Sequence, residues 1–436
     1  MPLTDILNAH RPELKSYEVL YKHFHSNPEL SNQEIETSTA IVNHLSAISS
    51  DFDIKTNIGG YGVAAVFHNG PGPIVLSRAD MDALPIEERT GLPYASTKRV
   101  IDVHGKEQPV MHACGHDMHI TCLLAYAELM VSARQSWHGT IVLIFQPAEE
   151  RGTGAQRMVD DGLYDPERHN VPIPDVVFSG HVVPARAGVI GIRPGTMASS
   201  CDNLRVTFHG RGGHASMPER LIDPIVMASS TVMRLQTLVS REVHPSEHAV
   251  VTCASFISGS TTAENVVSDD ATITLDIRAN DETTRQKLYN GVLRIVKAES
   301  AASNAVVEPT ITPTRSFPVT YNNASVTERV GKAFHDHFRP GDETYVADYP
   351  RLSFSEDFCI LASAVESPSL LFAYGCTEPE KVDLAQKEGT LAESIPGNHS
   401  SLFAPQIFPT MQVGIDAYAL SALAWLSEDK RRSDSS

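Results

Sequence analysis

The chain has 436 residues, more than one ordinary hydrophobic core accommodates, so two domains are expected. Its composition, 42% hydrophobic and 20% charged, is that of a globular protein able to form a large core without disulfide support. A formal net charge of -18, from 35 Lys+Arg against 53 Asp+Glu, argues against nucleic acid or an anionic membrane as partner, because both need a positive surface.

No apolar run approaches membrane-spanning length. The opening MPLTDILNAHRPELKSYE has no apolar segment following a basic one, and DKRRSDSS matches no retention or peroxisomal tag. The six cysteines are scattered and form no disulfide framework. A cytoplasmic address is expected.

In chain order, SYEVLYKHF and STAIVNHLSAI have helical spacing, and HSNPELSNQE between them reads as a Pro/Asn-marked turn. GGYGVAAVF and PIVLSRADMD read as strands, the second ending in Asp80 and Asp82. ITCLLAYAELMVSAR reads as an amphipathic helix with Leu123, Leu124, Ala127, Met130 and Val131 on one face. GTIVLIFQPAEE is a buried strand stopping at Pro147, and DVVFSGHVVP is another, ending at His181. Strands alternating with helices indicate a parallel-rich α/β sheet. Near residue 195 the pattern changes. NLRVTFHG, a helix over DPIVMASSTVMRLQTLV, HAVVTCASFIS, ATITLDIRA, a helix over TRQKLYNGVLRIVKAES and NAVVEPTITPT give the order βαββαβ, the ferredoxin-like unit. Beyond residue 310 two more helices and the strand SLLFAYGC follow. The expected architecture is an α/β domain over 1–194 and 310–436, interrupted by an inserted α+β domain over 195–309.

The densest chemistry lies in MHACGHDMH, residues 111–119. Asp80/Asp82, Glu149/Glu150 and His181 each follow the C-terminal end of a predicted strand, the edge where open α/β sheets bind ligands. Cys114 and His116 precede a helix and can face the same edge. One rim would then hold a thiolate, imidazoles and carboxylates, a donor set for first-row metals. Taken singly, each has a plainer reading: a core histidine, a solvated Glu pair, turn-forming aspartates. Together they fit a metal site better. A structural zinc site would favour CxxC spacing, which is absent. A Cys114 nucleophile with His116 as base would leave the Glu pair unused. A hydrolytic metal site needs both a ligand carboxylate and a separate base, which an adjacent Glu pair supplies.

The motifs HSNPELSNQE, RADMDALPIEE, MHACGHDMH, QPAEERGTGA, GHVVPARAGVIGIRPGTMAS, GRGGHASMPE, ENVVSDDATITLDIR, SEDF and NHSSLF, in this order over nearly the whole chain, resemble those of the dimetal aminoacylase–carboxypeptidase metallohydrolases. The resemblance is to their amidohydrolase branch, with hippurate hydrolases and plant auxin-conjugate hydrolases. It implies a zinc-exopeptidase-like catalytic domain with an inserted lid and dimerisation domain. It implies two divalent metal ions, Zn or Mn with Co or Ni as alternatives, held by Cys114, His116, Glu150, His181 and His399, Cys114 bridging or lying close to both. It assigns Glu149 as the general base acting on metal-activated water, and Asp80 and Asp82 as carboxylates that orient ligands. It makes His214 the oxyanion-stabilising histidine reaching a neighbouring site in a homodimer. Asn265 and Arg278 would hold a substrate carboxylate, although Arg278 equally suits an interface salt bridge. The implied activity is cleavage of N-acyl amino acids or related small amides. The alternatives are a dipeptidase or carboxypeptidase, or a non-catalytic small-molecule-binding derivative. Two segments depart from the family pattern: RVIDVHGKEQPV, slightly long and carrying His104, and NHSSLF, which lacks the expected proline.

Overall fold

The computed structural model describes residues 2–103, 105–259, 263–338 and 344–427. The chain folds into two compact units. One comprises Met1–Met197, Tyr321–Pro350 and Asp357–Ser436, the other Ala198–Thr320 and Arg351–Glu356.

The first unit is built on an eight-stranded sheet. At its centre Gly139–Gln146, Ile74–Asp80, Val176–Arg186 and Ser369–Thr377 run parallel to one another. Parallel strands are covered on both faces, so they read as continuous apolar runs. Gly139–Gln146 accordingly is buried along its whole length. Antiparallel Gly62–Asn69 and Asp53–Ile58 extend one side.

The helix His116–Ser132 differs from the amphipathic element expected. Every residue from His116 to Met130 except Glu128 is buried. The reason is its position: it packs against the sheet and also against the helices Leu14–Ser26, Ile35–Ile48 and Ile407–Leu426. A helix enclosed on all sides has no solvent face for a polar stripe. His181 also departs from expectation. It lies within Val176–Arg186 and not at its end, because pairing with Ser369–Thr377 continues past the Ala373–His181 register.

The second unit is an antiparallel sheet in the spatial order Ala249–Ser258, Asp270–Ala279, Ser200–His209, Thr310–Phe317. Its elements follow the expected βαββαβ order, with the helices Pro224–Thr237 and Glu282–Ala302. In Asp270–Ala279 alternate residues are buried, the period-2 pattern of a sheet covered on one face. The last strand begins at Thr310, later than NAVVEPTITPT suggested, since Val306 and Val307 are exposed.

The encased helix should be the least tolerant element of the first unit. Leu124→Ala, at a position with no exposure, is expected to lower the unfolding free energy by about 2–5 kcal/mol, read as a shifted midpoint with unchanged slope in urea titration.

Candidate metal centre

The carboxyl ends of the central strands present the polar residues of the first unit. Asp80 closes Ile74–Asp80, and Asp82 follows two residues on. The Gly139–Gln146 strand is followed by Pro147 and a short turn, Glu149–Arg151. Ala148 adopts a left-handed conformation there, φ 51°, so the chain reverses sharply before both glutamates. Two buried acids hold this turn. The Asp82 carboxylate accepts the backbone N–H groups of Glu149 and Glu150, both at 3.1 Å, and Glu34 accepts that of Ala148 at 2.9 Å.

Cys114 and His116 are separated by Gly115, which caps the buried helix at φ 90°. A Cβ there would stand 2.3 Å from Val182 Cγ2, so only glycine fits. This close approach sets Cys114 Sγ 3.6 Å from His181 Nε2.

The imidazoles are oriented by backbone. His116 Nδ1 donates to Asp82 O at 2.8 Å, and His181 Nδ1 donates to Val182 O at 2.7 Å. Both bonds put a proton on Nδ1 and turn Nε2 inward, the arrangement a metal-ligating histidine requires. His116 Nε2 is buried and makes no hydrogen bond, although Asp80, Glu150 and Glu149 oxygens lie 3.6, 3.9 and 4.0 Å away. Burial alone would lower the His116 pKa, but Asp80, Asp82 and Glu150 raise it to about 10. Burial and the neighbouring His119 hold His181 well below the usual histidine range.

His399 approaches from the loop after the helix Leu391–Ser394. It has φ 69°, its N–H donates to Ala113 O at 2.7 Å, and its Nε2 lies 3.3 Å from Glu150 Oε1. Three sets of donors converge: Cys114, His116 and His181; Cys114, Glu150 and His399; His116, Glu149 and Glu150. Within each set the donor atoms lie within 4.8 Å of one another. The structure thus brings Cys114, His116, Glu149, Glu150, His181 and His399 to one place. Thiol, imidazole and carboxylate donors fit divalent transition metals.

Asp80 and Asp82, expected to orient ligands, hold neighbouring groups at the site. Asp80 accepts from His119 Nδ1 at 2.6 Å and from Arg78 at 2.8 Å. Burial opposes its ionisation, but His116, His119 and Arg78 hold its carboxyl well below the usual range. His119 in turn accepts the Val182 N–H at 2.9 Å, which braces the His181 segment. Asp82 carries the glutamate turn.

The remaining candidates lie in the second unit. His214 is exposed on the short strand Gly213–His214, paired with Val266–Val267, and its Nδ1 bonds Ser216. Asn265 adjoins it, its carbonyl accepting from Ala215 N–H at 2.9 Å. Arg278 bonds Asp276 at 2.8 Å and the Ser353 carbonyl at 3.0 Å. His104 lies outside the described residues.

Sequence reasoning missed Glu34, His119, Ser31 and Asn398. Ser31 donates to Asp82 at 2.6 Å, and Asn398 Nδ2 donates to Cys114 O at 3.1 Å. The signal for two of them was the polar density of HSNPELSNQE, too rich for a mere turn.

The profile of Peptidase family M20/M25/M40 matches residues 76–395. The chain belongs to this family. Hippurate hydrolase of Campylobacter jejuni subsp. jejuni is 36% identical over 344 residues, 78% of this chain and 84% of its own length. IAA-amino acid hydrolase ILR1-like 5 of Arabidopsis thaliana is 35% identical over 79% of this chain and 74% of its own. A solved structure of an aminohydrolase candidate from methicillin-resistant Staphylococcus aureus superposes with TM-score 0.80 at 29% identity, covering 97% of this chain and 99% of that one. The protein is a hydrolase of this family, and the convergent donors occupy the rim of its parallel sheet.

Glu34 supplies a test of the turn's electrostatics. Burial and the Asp82 charge raise its carboxyl to about 8. Because the folded value exceeds the unfolded one, the folded state binds more protons from about pH 4.5 to 8, and this group's contribution to stability is lost as pH rises through that window. In metal-free protein Glu34→Gln is expected to flatten the fall in Tm between pH 5 and 8.5, measured by scanning calorimetry. A parallel fall in both proteins would refute the assignment.

Proposed function

We propose that the protein hydrolyses the amide bond of N-acyl amino acids or related small amides at a two-metal centre. The observation that carries this is the inward-turned Nε2 of His116, buried without a hydrogen bond among carboxylates, beside Cys114 and His181. Cys114, His116 and His181 would hold one ion, and Cys114, Glu150 and His399 the other. Zn and Mn both suit these donors. Such ions, when bound, polarise the amide carbonyl and lower the pKa of water.

The protein's own groups supply the rest. Glu149 is the general base: it takes a proton from the attacking water and returns it to the departing amine. The Asp82 bonds to two successive N–H groups hold the backbone of the turn, from which Glu150 would ligate metal and Glu149 would act on water. The Cys114 thiol loses its proton on binding. His214 donates to the developing oxyanion, from the neighbouring copy in a homodimer. Asn265 and Arg278 engage the substrate carboxylate.

Several features support a homodimer through the second unit. Ala249–Ser258 is an edge strand with one partner in its sheet, among the described residues. Phe256 and Ile257 on it are exposed, as are Val226 and Met233 on the adjacent helix. Such an edge invites pairing with another chain. Among the described residues no helix is long and apolar enough to cross a membrane. The six cysteines are thiols, which fits a cytoplasmic address.

The named relatives make hippurate and indole-acetyl amino acids the first substrates to try, with free dipeptides alongside because the family includes peptidases. Glu149→Ala is expected to lower turnover of the responsive substrate by about 10²-fold or more while retaining both metals, measured by amine release and elemental analysis. Cys114→Ser is expected to lower metal content itself. Retained activity in the first variant, or full metal loading in the second, would refute these roles. Ile257→Lys should yield a monomer by light scattering. His214→Ala mixed with Glu149→Ala should recover part of the activity each lacks alone, since a mixed dimer contains one complete site. No recovery despite exchange would exclude donation of His214 across the dimer.

A further inference from the structure

Ser31 and Glu34 of the segment HSNPELSNQE support the glutamate turn, and its first residue is deeply engaged elsewhere. His25 ends the helix Leu14–Ser26 and is wholly buried. Its Nδ1 lies 2.7 Å from Asp117 Oδ2 and its Nε2 lies 3.0 Å from Glu88 Oε1. Neither carboxylate side chain is exposed. Carboxylates only accept, so both ring nitrogens donate and His25 is an imidazolium between two acids.

Each acid leads to a different part of the metal centre. Asp117 adjoins His116 in the first turn of the buried helix. Glu88 also accepts the Ser96 N–H at 2.6 Å, which ties its loop, and the next residue, Arg89, donates its N–H to Ser401 O at 2.8 Å. Ser401 lies two residues beyond His399. His25 therefore joins the segment that carries His116 to the loop that carries His399. His399 needs such support: its side chain is 51% exposed and its backbone is left-handed. Tyr94 packs edge-on against the His25 ring at 5.2 Å between centroids.

We propose that His25 is a positioning residue that sets the His116 and His399 segments at the separation that captures two metal ions, one arm through Asp117 and the other through Glu88. This rests on the two-metal reading above. Its consequence is separable arms. Loss of the Glu88 arm releases the His399 loop and loosens the ion that His399 shares with Glu150. Loss of His25 loosens both ions.

The test uses the full chain, stripped and titrated with Zn²⁺ against a chromophoric chelator, with Tm of the metal-free protein recorded in parallel. Wild type should bind two ions. Glu88→Ala should bind one with wild-type affinity and the other about 10–100-fold more weakly, the range seen when a group supporting a metal ligand is removed. His25→Ala should weaken both. A purely structural role would lower the Tm of the metal-free protein and leave the two affinities unchanged relative to each other. Should His25→Ala not fold, the split in Glu88→Ala decides. Unchanged affinities in folded variants, or equal weakening of both ions by Glu88→Ala, would overturn the proposal while leaving the metal centre intact. A wild type that binds no ion would overturn the two-metal reading and this proposal with it.

Discussion

One residue, Asp82, organises the candidate centre. Its carboxylate accepts two successive N–H groups, those of Glu149 and Glu150, and its backbone carbonyl accepts the Nδ1–H of His116. A carboxylate that accepts several backbone donors is held rigidly, because its lone pairs are committed in fixed directions. Three side chains with different tasks are thereby referenced to a single residue at the edge of the sheet. Ser31 completes the set by donating to the same carboxylate. The strand Ile74–Asp80 just before it is paired on both sides within the sheet. The rigidity of the fold is thus passed to the site through two residues of chain.

The second constraint is electrostatic. Asp80, Asp82, Asp117, Glu149, Glu150 and Asp357 are all buried or nearly so. Burying charge is costly unless it is paired. Arg78 answers part of it, bonding Asp80, Gln146 and Asp357 in one buried cluster. His25 answers Asp117 and Glu88. The acids around His116 raise that imidazole to about 10. The convergent thiol, imidazole and carboxylate donors are a set suited to divalent metal.

The two units divide the labour. In the first, strands buried on both faces and a helix enclosed on all sides give a platform that can hold many charged groups in place. The second is an antiparallel sheet whose strand Asp270–Ala279 buries alternate residues on one face. His214 and Asn265 sit side by side on a short ladder of that unit.

Much of this was legible in the amino-acid sequence. Apolar runs and their periods specify the strand and helix classes, since burial on one face or two leaves a direct imprint on residue choice. Cys114 and His116 ahead of a helix, and Glu149 and Glu150 just past a strand, were recognisable because such positions face one rim of a parallel α/β sheet. Tertiary structure alone decided the partnerships. Nothing local indicates that Asp82 would carry the glutamate turn, that Asp80 would bind His119, or that Arg278 would be tied to Ser353. Nor could the apolar face of His116–Ser132 reveal that four other helices, Leu3–His10 among them, would pack on its remaining sides. His25 and Glu34 read as parts of a turn because their partners lie from 63 to 114 residues away. Periodicity reports how much of a residue is buried, whereas hydrogen-bond partners and ring tautomers depend on which distant segments the fold sets against it.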